Sequence, residues 1–577
     1  MSKLEVIWEE FCTISPITNP YRIYRVPDHL RKSKVIFAFE GQATVGGSEI
    51  LLQVGLDKNF PRSLPLIFLM PWDALGFLPH VDNRGMVCYA QKEGLLLNRY
   101  APATIIKEAI ERSLQTLERG VRKENREDFV EEFEAYWARL EGLKLIPAAI
   151  EPDKVVQKVT SIVEAGQDEN MPICLTRDPG IMRTYLDLDL SKSYIDHTAI
   201  YVPFKKDFHI EPPHYDGLWE LAWIQAIVQD GLSHQNYKRL QRWGRKCSRE
   251  QSVIFGLPKP NGNTAMFGLH FVGIEKYSPL LPGGKAKKWV PFLLDRRDKA
   301  FLLPRGGANL LLRKKHIAIL GCGSVGGFLA FELARAGIQN LTLIDPDILK
   351  PENTFRHVLG QSSWHHAKTL ALKKEIESKL PYTHVQALQK YGEEVIQQGD
   401  LRLRDYDLII SAIGNDTTNL HINQLVHDEI GAPPLIFTWL EPYGIGGHAL
   451  LTRKSRGSGC LECLFTPTAN DHNYLLHNRA AFAAEDQFFN KTVSGCSDLF
   501  TPYGSSDAVR TAILASDLAI NTLLDQESGN PIVSWKGRAD KFLQAGFRLA
   551  SRYAMTEYQI FEQRYDYQVS QCPTCGS

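Results

Sequence analysis

Apolar and polar positions alternate between Lys34 and Met70 in three short runs that Gly, Asp and Pro separate. Alternation with a period of two is typical of strands that bury one face. The stretch ATIIKEAIERSLQTLERG, which follows at residues 101–120, instead repeats its apolar residues at helical spacing. The pattern therefore predicts a small α+β domain over residues 1–122.

Two further patterns follow this domain. The charged stretch from Glu124 to Leu145 predicts one helix, which ends at Pro147. Beyond it, short apolar runs alternate with Pro- and Gly-rich turns such as PKPNGN and LLPGGKAKK. We therefore expect a middle α+β linker domain over residues 123–300, in which the sequence shows no catalytic constellation.

The pattern changes again at Lys315. The apolar run HIAIL predicts a buried strand, GGFLAFELARAGI predicts a helix, and LTLID predicts a second strand. This order is a βαβ unit, and another buried strand, YDLIISAIG, follows at residues 406–414. We therefore expect a Rossmann-like α/β domain over residues 301–577.

Size and charge narrow the class of protein. A chain of 577 residues is too long to fold around one hydrophobic core, so we expect several domains. Lys+Arg and Asp+Glu both total 66, which gives no reason to expect a binder of nucleic acid or of a membrane surface. The sequence has no apolar run long enough to cross a bilayer, and its start, MSKLEVIWEEF, is unlike a signal peptide. We expect a cytoplasmic protein.

A glycine turn joins the first strand of the βαβ unit to its helix. Gly321, Gly323 and Gly326 form G-x-G-x-x-G, so backbone N–H groups at the helix N-terminus can hold phosphate oxygens. Asp345 closes the second strand, where such folds place the acid that binds a ribose hydroxyl. These features suit NAD and ATP equally.

The residues after Asp345 favour ATP. Asn353, Arg356 and Lys368 follow within one short stretch. Hydride transfer has no need of such a set, whereas adenylyl transfer must neutralise a triphosphate during in-line attack. A NAD-dependent oxidoreductase is the less favoured alternative.

Four of the ten cysteines form two C-x-x-C pairs. Cys460, Cys463, Cys572 and Cys575 supply four thiolates, the ligand set of a closed structural zinc site. In a reducing compartment this pattern favours a metal over a disulfide framework. The metal would hold residues 572–575 against the α/β domain. A redox role for one of the pairs is the alternative.

Residues 313–420 resemble the adenylation domain shared by ubiquitin-activating enzymes and the bacterial sulfur-carrier activators ThiF and MoeB. The matching elements are the GCGSVGG turn, the LTLIDPD strand end, N-x-x-R at Asn353 and Arg356, and Lys368. The resemblance implies that Asp345 binds the ribose of ATP. It also implies that Asn353, Arg356 and Lys368 contact the phosphates, the last two with a catalytic role.

The same resemblance implies a magnesium-binding Asp after a later strand. In SAIGNDTTN this residue is Asp416, with the preceding Gly-Asn pair as the alternative. Domains of this kind pair as homodimers, with an arginine supplied by the second copy. Arg305 and Arg313 are the candidates for that role.

The N-terminal domain resembles the core of ubiquitin-conjugating enzymes. FPRSLPLIFL, LPHVDNRGMVCY and the helix after them provide a proline-marked strand, a His and then Gly-x-hydrophobic-Cys. The resemblance implies that Cys88 accepts an acyl group by transthioesterification and that His80 belongs to the adjoining structural motif. The family's His-Pro-Asn is altered here, so Asn83 is an open candidate for its oxyanion-stabilising Asn. A merely buried Cys in a binding domain is the alternative.

Cys496 lies in the Gly- and Ser-rich segment TVSGCSDLF, between the two C-x-x-C pairs and ahead of a predicted helix. Its placement resembles that of the activating-enzyme cysteine that attacks the acyl adenylate. The alternative is a structural cysteine.

A conjugating-type domain followed by an activating-type domain resembles the bacterial fusions of CBASS antiphage operons. The resemblance implies ATP-dependent activation of a protein C-terminal carboxylate, transfer through Cys496 and Cys88, and ligation to an amine. It further implies that the activated protein is the operon's cyclic-nucleotide synthase, a cGAS-like nucleotidyltransferase. The competing function is that of a sulfur-carrier adenylyltransferase, against which the conjugating-like domain argues.

Overall fold

The structure is a computed structural model that describes residues 3–91, 94–166, 171–180, 182, 192–215, 217–454, 458–467, 477–492 and 499–576. The chain forms two compact units, residues 1–298 and 299–577. No helix in these described ranges has the length and apolar character that crossing a membrane requires.

The first unit begins with a four-stranded antiparallel sheet in the order β1-β2-β3-β4. Its elements are α1 (Lys3–Ile14), β1 (Thr18–Ile23), α2 (Asp28–Lys32), β2 (Val35–Val45), β3 (Ser48–Asp57), β4 (Leu66–Met70) and α3 (Pro102–Val121). The apolar face of α3, including Ile106 and Ile110, shares a core with Phe39 and Leu52 of the sheet. The three predicted strands and the predicted helix are confirmed.

The single helix predicted from Glu124 to Leu145 is wrong. This segment forms α4 (Asp128–Glu131), α5 (Phe133–Trp137) and the start of β5 (Lys144–Ala149). The strand pairs in parallel with residues 292–296, and Trp137 donates a hydrogen bond from Nε1 to the Phe292 carbonyl at 3.0 Å. A partner about 150 residues away decides the conformation, and local spacing carries no sign of it.

A closed barrel occupies the rest of this unit, with the strand order β10-β11-β5-β7-β6-β8-β9. Its further elements are β6 (Gln157–Glu164), β7 (Cys174–Thr176), β8 (Tyr194–Pro203), α6 (Leu221–Gly231), α7 (His234–Gly244), β9 (Glu250–Pro258), β10 (Thr264–Val272) and β11 (Lys288–Arg296). Phe255 and Phe267 of adjacent strands share a core with Phe133 and Trp137. The region predicted only as α+β is thus a barrel that α5 packs against.

The second unit is built on a seven-stranded sheet, with the order β14-β13-β12-β15-β16-β17-β20. Its strands are β12 (His316–Leu320), β13 (Asn340–Ile344), β14 (His384–Leu388), β15 (Leu408–Ser411), β16 (Leu435–Leu440), β17 (Gly446–Thr452) and β20 (Ile532–Lys536), and a separate pair is β18 (Lys491–Thr492) with β19 (Leu499–Phe500). The first five strands in that order are parallel, and β17 runs antiparallel to both of its neighbours, β16 and β20. This confirms the predicted α/β fold.

Helices cover both faces of this sheet. The helices of this unit are α8 (Lys299–Arg305), α9 (Ser324–Arg335), α10 (Lys368–Lys379), α11 (Gly392–Gln397), α12 (Asp416–Asp428), α13 (Ser505–Leu523), α14 (Asp540–Gln544) and α15 (Glu557–Glu562). The central strand β12 lies between β13 and β15. The chain therefore builds the sheet outward on one side of β12 through β13 and β14, and then returns to add β15 on the other side. In parallel sheets, ligands bind at the carboxyl ends of the strands at such a switch point.

Candidate active sites

The glycine turn lies at the carboxyl end of β12. Gly321 has a φ of +89°, which favours glycine, and a Cβ on Gly326 would lie 1.9 Å from the Gly321 carbonyl oxygen. A Cβ on Gly323 would meet nothing within 4 Å. The first and third glycines are therefore required by the backbone, whereas the second presents an open surface at the N-terminus of α9, where unpaired N–H groups attract anions.

A cleft of about 630 Å³ lies beside this turn. The predicted residues that line it are Gly323, Asn353, Arg356, Lys368 and Asp416. They come from the start of α9, the 3₁₀ helix Pro351–Arg356, the start of α10 and the start of α12. Segments separated by up to 93 positions in sequence thus converge on one cleft, with two cationic side chains in its wall.

Asp345 lies behind the turn and is almost fully buried. Its carboxylate accepts hydrogen bonds from the N–H groups of Cys322 at 2.6 Å and Asp347 at 2.8 Å. Lys368 Nζ lies 2.7 Å from the Asp347 carboxylate and 3.9 Å from that of Asp345. Asp345 therefore holds the backbone of the turn, and its binding of a ribose stays a prediction.

Three polar residues of the cleft were not predicted from the sequence. The hydroxyls of Ser324 and Tyr503 are hydrogen-bonded at 2.7 Å, and the guanidinium of Arg356 lies 5.4 Å from the centroid of the Tyr503 ring. His357 Nε2 lies 2.8 Å from the Cys322 carbonyl oxygen, and burial lowers the pKa of His357, so the neutral ring donates this bond. Tyr503 is 179 positions from Ser324, so no local signal could have identified it.

Asp416 is placed by the cap of α12. The side chain of Asn415 accepts a hydrogen bond from the Thr418 N–H at 3.0 Å, which is a typical N-cap. Asp416, the next residue, opens onto the cleft. Partial removal of the carboxyl group from water, and then the negative charge of Glu441, raise the pKa of Asp416. Of the two alternatives in SAIGNDTTN, Asn415 is used as a cap and Asp416 is available to a ligand.

Glu441 is a further carboxylate on the cleft wall that sequence reasoning missed. It is buried, and its Oε1 accepts a hydrogen bond from the Phe482 N–H at 2.8 Å and lies 3.1 Å from His448 Nε2. Burial lowers the pKa of His448, so the neutral ring donates to Glu441 from Nε2 and accepts from Ser534 at Nδ1. Carboxylate oxygens are the ligands that Mg²⁺ prefers, so Asp416 and Glu441 fit that ion.

The four predicted zinc ligands meet at one point. The Sγ atoms of Cys460, Cys463, Cys572 and Cys575 all lie within 4.8 Å of one another, with Cys460 and Cys572 3.7 Å apart and Cys463 and Cys575 3.3 Å apart. Zinc–sulfur bonds of about 2.3 Å in a tetrahedron place sulfurs about 3.8 Å apart. Asn423 donates to Cys460 Sγ at 3.5 Å, as an outer partner of a metal ligand would. The cluster therefore fits zinc.

Cys88 is exposed at the rim of a second cleft, of about 400 Å³. Its N–H donates to the His80 carbonyl at 2.8 Å across a short turn. The buried Asp82 carboxylate holds that turn by accepting from the N–H of Met86 at 2.8 Å. Asn83 is exposed on the turn, whereas His80 and Asp82 line the cleft. His80, rather than the candidate Asn83, therefore lines the cleft of Cys88.

His80 is surrounded by hydrogen-bonding groups of α4 and α5. Its Nε2 lies 2.9 Å from an Asp128 carboxylate oxygen, its Nδ1 lies 3.3 Å from one of Glu132, and its backbone N–H donates to the Tyr136 hydroxyl at 2.7 Å. The interaction of the ring with the Cys88 side chain, and then with Glu132, is the main cause that raises the pKa of His80 to about 10. The ring is therefore an imidazolium at neutral pH.

The remaining predicted residues are Cys496, Arg305 and Arg313. Cys496 lies outside the described residues. Arg305 is exposed, with its guanidinium 4.4 Å from the centroid of the Phe301 ring, and Arg313 lies in the 3₁₀ helix Leu310–Lys314. The acyl transfer by Cys496 and the action of either arginine toward a second copy stay predictions.

Comparisons with known proteins match two segments of the chain to families. Residues 25–146 match the prokaryotic E2 family B and residues 303–516 match the ThiF family. The chain is 24% identical over 487 residues to the ATP-dependent ubiquitin transferase-like protein Cap2 of Pseudomonas aeruginosa, which covers 81% of this chain and 84% of that protein. These matches confirm the two predicted resemblances.

Two further matches are more distant. Identity to the ATP-dependent ubiquitin transferase-like protein Cap2 of Vibrio cholerae serotype O1 is 23% over 529 residues, covering 83% of this chain and 87% of that protein. Among solved structures, that of Escherichia coli MccB matches with 16% identity and a TM-score of 0.33, covering 46% of this chain and 66% of the other.

Proposed function

The chain joins a prokaryotic E2 family B domain to a ThiF family domain, and we propose that it uses ATP to activate the C-terminal carboxylate of a protein and ligates it to an amine through cysteine thioesters. One observation carries the proposal. A single chain holds a cleft with a glycine turn, Arg356 and Lys368, and also an exposed cysteine, Cys88, in an E2-like domain. Relatives that span most of the chain are named ATP-dependent ubiquitin transferase-like proteins.

The residues of the larger cleft suit adenylation. The N–H groups beside Gly323 hold phosphate oxygens, and Arg356 and Lys368 offset the negative charge of the triphosphate. The carboxylate of the substrate attacks the α-phosphate, the new bond joins acyl oxygen to phosphorus, and pyrophosphate leaves. Asp416 and Glu441 would hold a magnesium ion, which supplies charge neutralisation when bound.

The acyl group then moves through two thioesters. Cys496 attacks the adenylate and releases AMP, and Cys88 takes the acyl group from it before an amine completes the amide bond. Each step exchanges one activated acyl bond for another until the amide forms. Cys88 is an exposed residue, as one that receives a bulky protein substrate must be.

The thiolate cluster is proposed as a structural zinc site that pins residues 572–575 to the α/β domain. A homodimer through the adenylation domain is the proposed assembly, with the cytoplasm as its compartment. From the resemblance to CBASS fusions, the proposed substrate is the cyclic-nucleotide synthase of the same operon, a cGAS-like nucleotidyltransferase.

The test is ATP–pyrophosphate exchange in the presence of that synthase, followed by a search for an adduct that an added thiol cleaves by thioester exchange. Arg356→Ala should abolish exchange, while the exposed Arg402→Ala, a matched control on the same domain, should leave it unchanged. We expect Cys88→Ala to retain an adduct on Cys496 and Cys496→Ala to retain none. Full product from Cys88→Ala would favour the sulfur-carrier alternative, and absence of exchange in the wild type would refute the proposal.

A further inference from the structure

The group that faces the reacting sulfur of the E2-like domain is positively charged. His80 lies across the turn from Cys88, the two residues line the same cleft, and the Cys88 side chain is the largest cause of the raised His80 pKa. Two carboxylates hold the imidazole ring on its other sides, Asp128 at Nε2 and Glu132 near Nδ1. A cation held between a sulfur and two carboxylates retains its proton because every neighbour favours the charged form.

The two ring nitrogens have different partners. Nε2 is anchored by the 2.9 Å bond to Asp128. Nδ1 is buried, and within the described part of the chain it has no well-aligned hydrogen bond, since the Glu132 oxygen at 3.3 Å is poorly placed. One N–H therefore fixes the orientation of the ring, while the other is left without a well-aligned acceptor in a cleft that Cys88 also lines.

From this geometry we infer that His80 is a further catalytic residue, whose imidazolium donates a hydrogen bond from Nδ1 to the Cys88 sulfur whenever that sulfur is negatively charged. The inference deepens the proposed function and rests on it for its place in the reaction. The charge-assisted hydrogen bond has about twice the strength of a neutral one. It acts on the atom that forms and breaks bonds, which distinguishes His80 from a residue that only holds the turn.

The charged sulfur occurs twice in the proposed cycle. In the first transfer, the Cys88 sulfur attacks the thioester carbonyl, a carbon–sulfur bond to Cys88 forms, and the bond to the donor cysteine breaks with its electron pair on the departing sulfur. In the second, the amine nitrogen attacks, the carbon–nitrogen bond forms, and the Cys88 sulfur leaves with the electron pair beside His80. The amine proton passes to a carboxylate of the cleft, and His80 keeps its own proton throughout.

The remaining charges of the cleft preserve this arrangement. Lys259 Nζ lies 2.8 Å from a carboxylate oxygen of Glu134. The pKa of Glu132 is lowered despite its burial, first by its interaction with His80 and then by the charge of Arg139. The other charged groups that line the cleft are Asp82 and Glu131. Acidic groups thus outnumber basic ones around His80, which favours its charged form.

The test is the rate at which iodoacetamide alkylates Cys88 in the full chain without ATP, measured peptide by peptide by mass spectrometry. The exposed Cys12 is an internal reference in the same molecule. The variant is His80→Asn, because His80 has a φ of +65° and Asn tolerates that region. The control is His209→Asn, at an exposed histidine of the same unit. We expect an approximately tenfold slower reaction of Cys88 at about pH 7 in His80→Asn only, with Cys12 unchanged.

A second measurement needs no variant. In the wild type, the ratio of Cys88 to Cys12 alkylation should fall as the pH rises from about 7 to about 10.5, because Cys12 gains thiolate while His80 loses its proton. A constant ratio, or equal Cys88 rates in wild type and His80→Asn, would overturn the role of His80. Neither alkylation measurement uses ATP or a protein substrate. Absence of pyrophosphate exchange alongside the expected alkylation pattern would therefore refute the proposed function but not the His80–Cys88 pair.

Discussion

The glycine turn allows the nucleotide site and the fold to be tested separately, because two of its glycines differ in what surrounds them. A Cβ on Gly326 would lie 1.9 Å from the Gly321 carbonyl oxygen and 3.3 Å from the Ala412 side chain. A Cβ on Gly323 would meet no protein atom within 4 Å. Gly326→Ala therefore perturbs the turn itself, whereas Gly323→Ala perturbs only what approaches from the cleft.

The structure sets the size of each effect. The Gly321 carbonyl would have to move by more than about 1 Å to reach an ordinary contact distance, but the Gly321 N–H is bonded to the Ile344 carbonyl at 2.8 Å. Overpacking of this kind costs about 1–3 kcal/mol, which lowers the Tm of a domain of this size by roughly 2–12 °C. For Gly323→Ala we expect no fall in Tm but at least about tenfold weaker ATP binding, about 1.4 kcal/mol, because the methyl group occupies the approach of the phosphates.

The assay is thermal unfolding of wild type and both variants, with and without ATP, together with calorimetric ATP binding. ATP should raise the Tm of the wild type and should do so far less in Gly323→Ala, whose Tm without ATP should match the wild type. Wild-type ATP affinity in Gly323→Ala would refute the placement of phosphates at this turn. A wild-type Tm in Gly326→Ala would refute the argument from the close backbone contact.

Three other predictions address the remaining sites. Cys572→Ser should lower bound zinc, measured by mass spectrometry of the metal, from about one ion per chain and should lower the Tm, whereas the exposed Cys12→Ser should change neither; equal zinc in both variants would contradict the cluster. Asp416→Asn should abolish pyrophosphate exchange without lowering the Tm near neutral pH, because burial and Glu441 raise the Asp416 pKa and so disfavour its ionised form in the folded chain. Retained exchange would remove Asp416 from the site. The His80 pKa of about 10 lies above its ordinary value of about 6.5, so its contribution to stability is complete below about pH 6.5 and is lost as the pH rises through about 10. Denaturant unfolding should therefore show a difference between wild type and His80→Asn that is largest at the acid end, and a difference that grows toward alkaline pH would contradict the assigned charge.

Local patterns in the sequence determined a large part of this molecule. The alternation from Lys34 to Met70 and the apolar run HIAIL correspond to the observed β2, β3, β4 and β12, because a strand that buries one or both faces must show it in its own residues. The G-x-G-x-x-G spacing and the two C-x-x-C pairs were equally visible. The spacing inside each motif lies within a few positions, so the sequence alone is sufficient to recognise the motifs.

Tertiary structure decided what meets across long separations. The end of the helix predicted from Glu124 to Leu145 is instead the start of β5, because this segment pairs with the strand at residues 292–296. The pairing of Tyr503 with Ser324 depends on the fold in the same way. The raised pKa of His80 depends, after Cys88, on carboxylates 52 and 48 positions further along the chain, Glu132 between α4 and α5 and Asp128 on α4. No local periodicity encodes such contacts, since their energy arises only when the packed elements bring the groups together and exclude water from them.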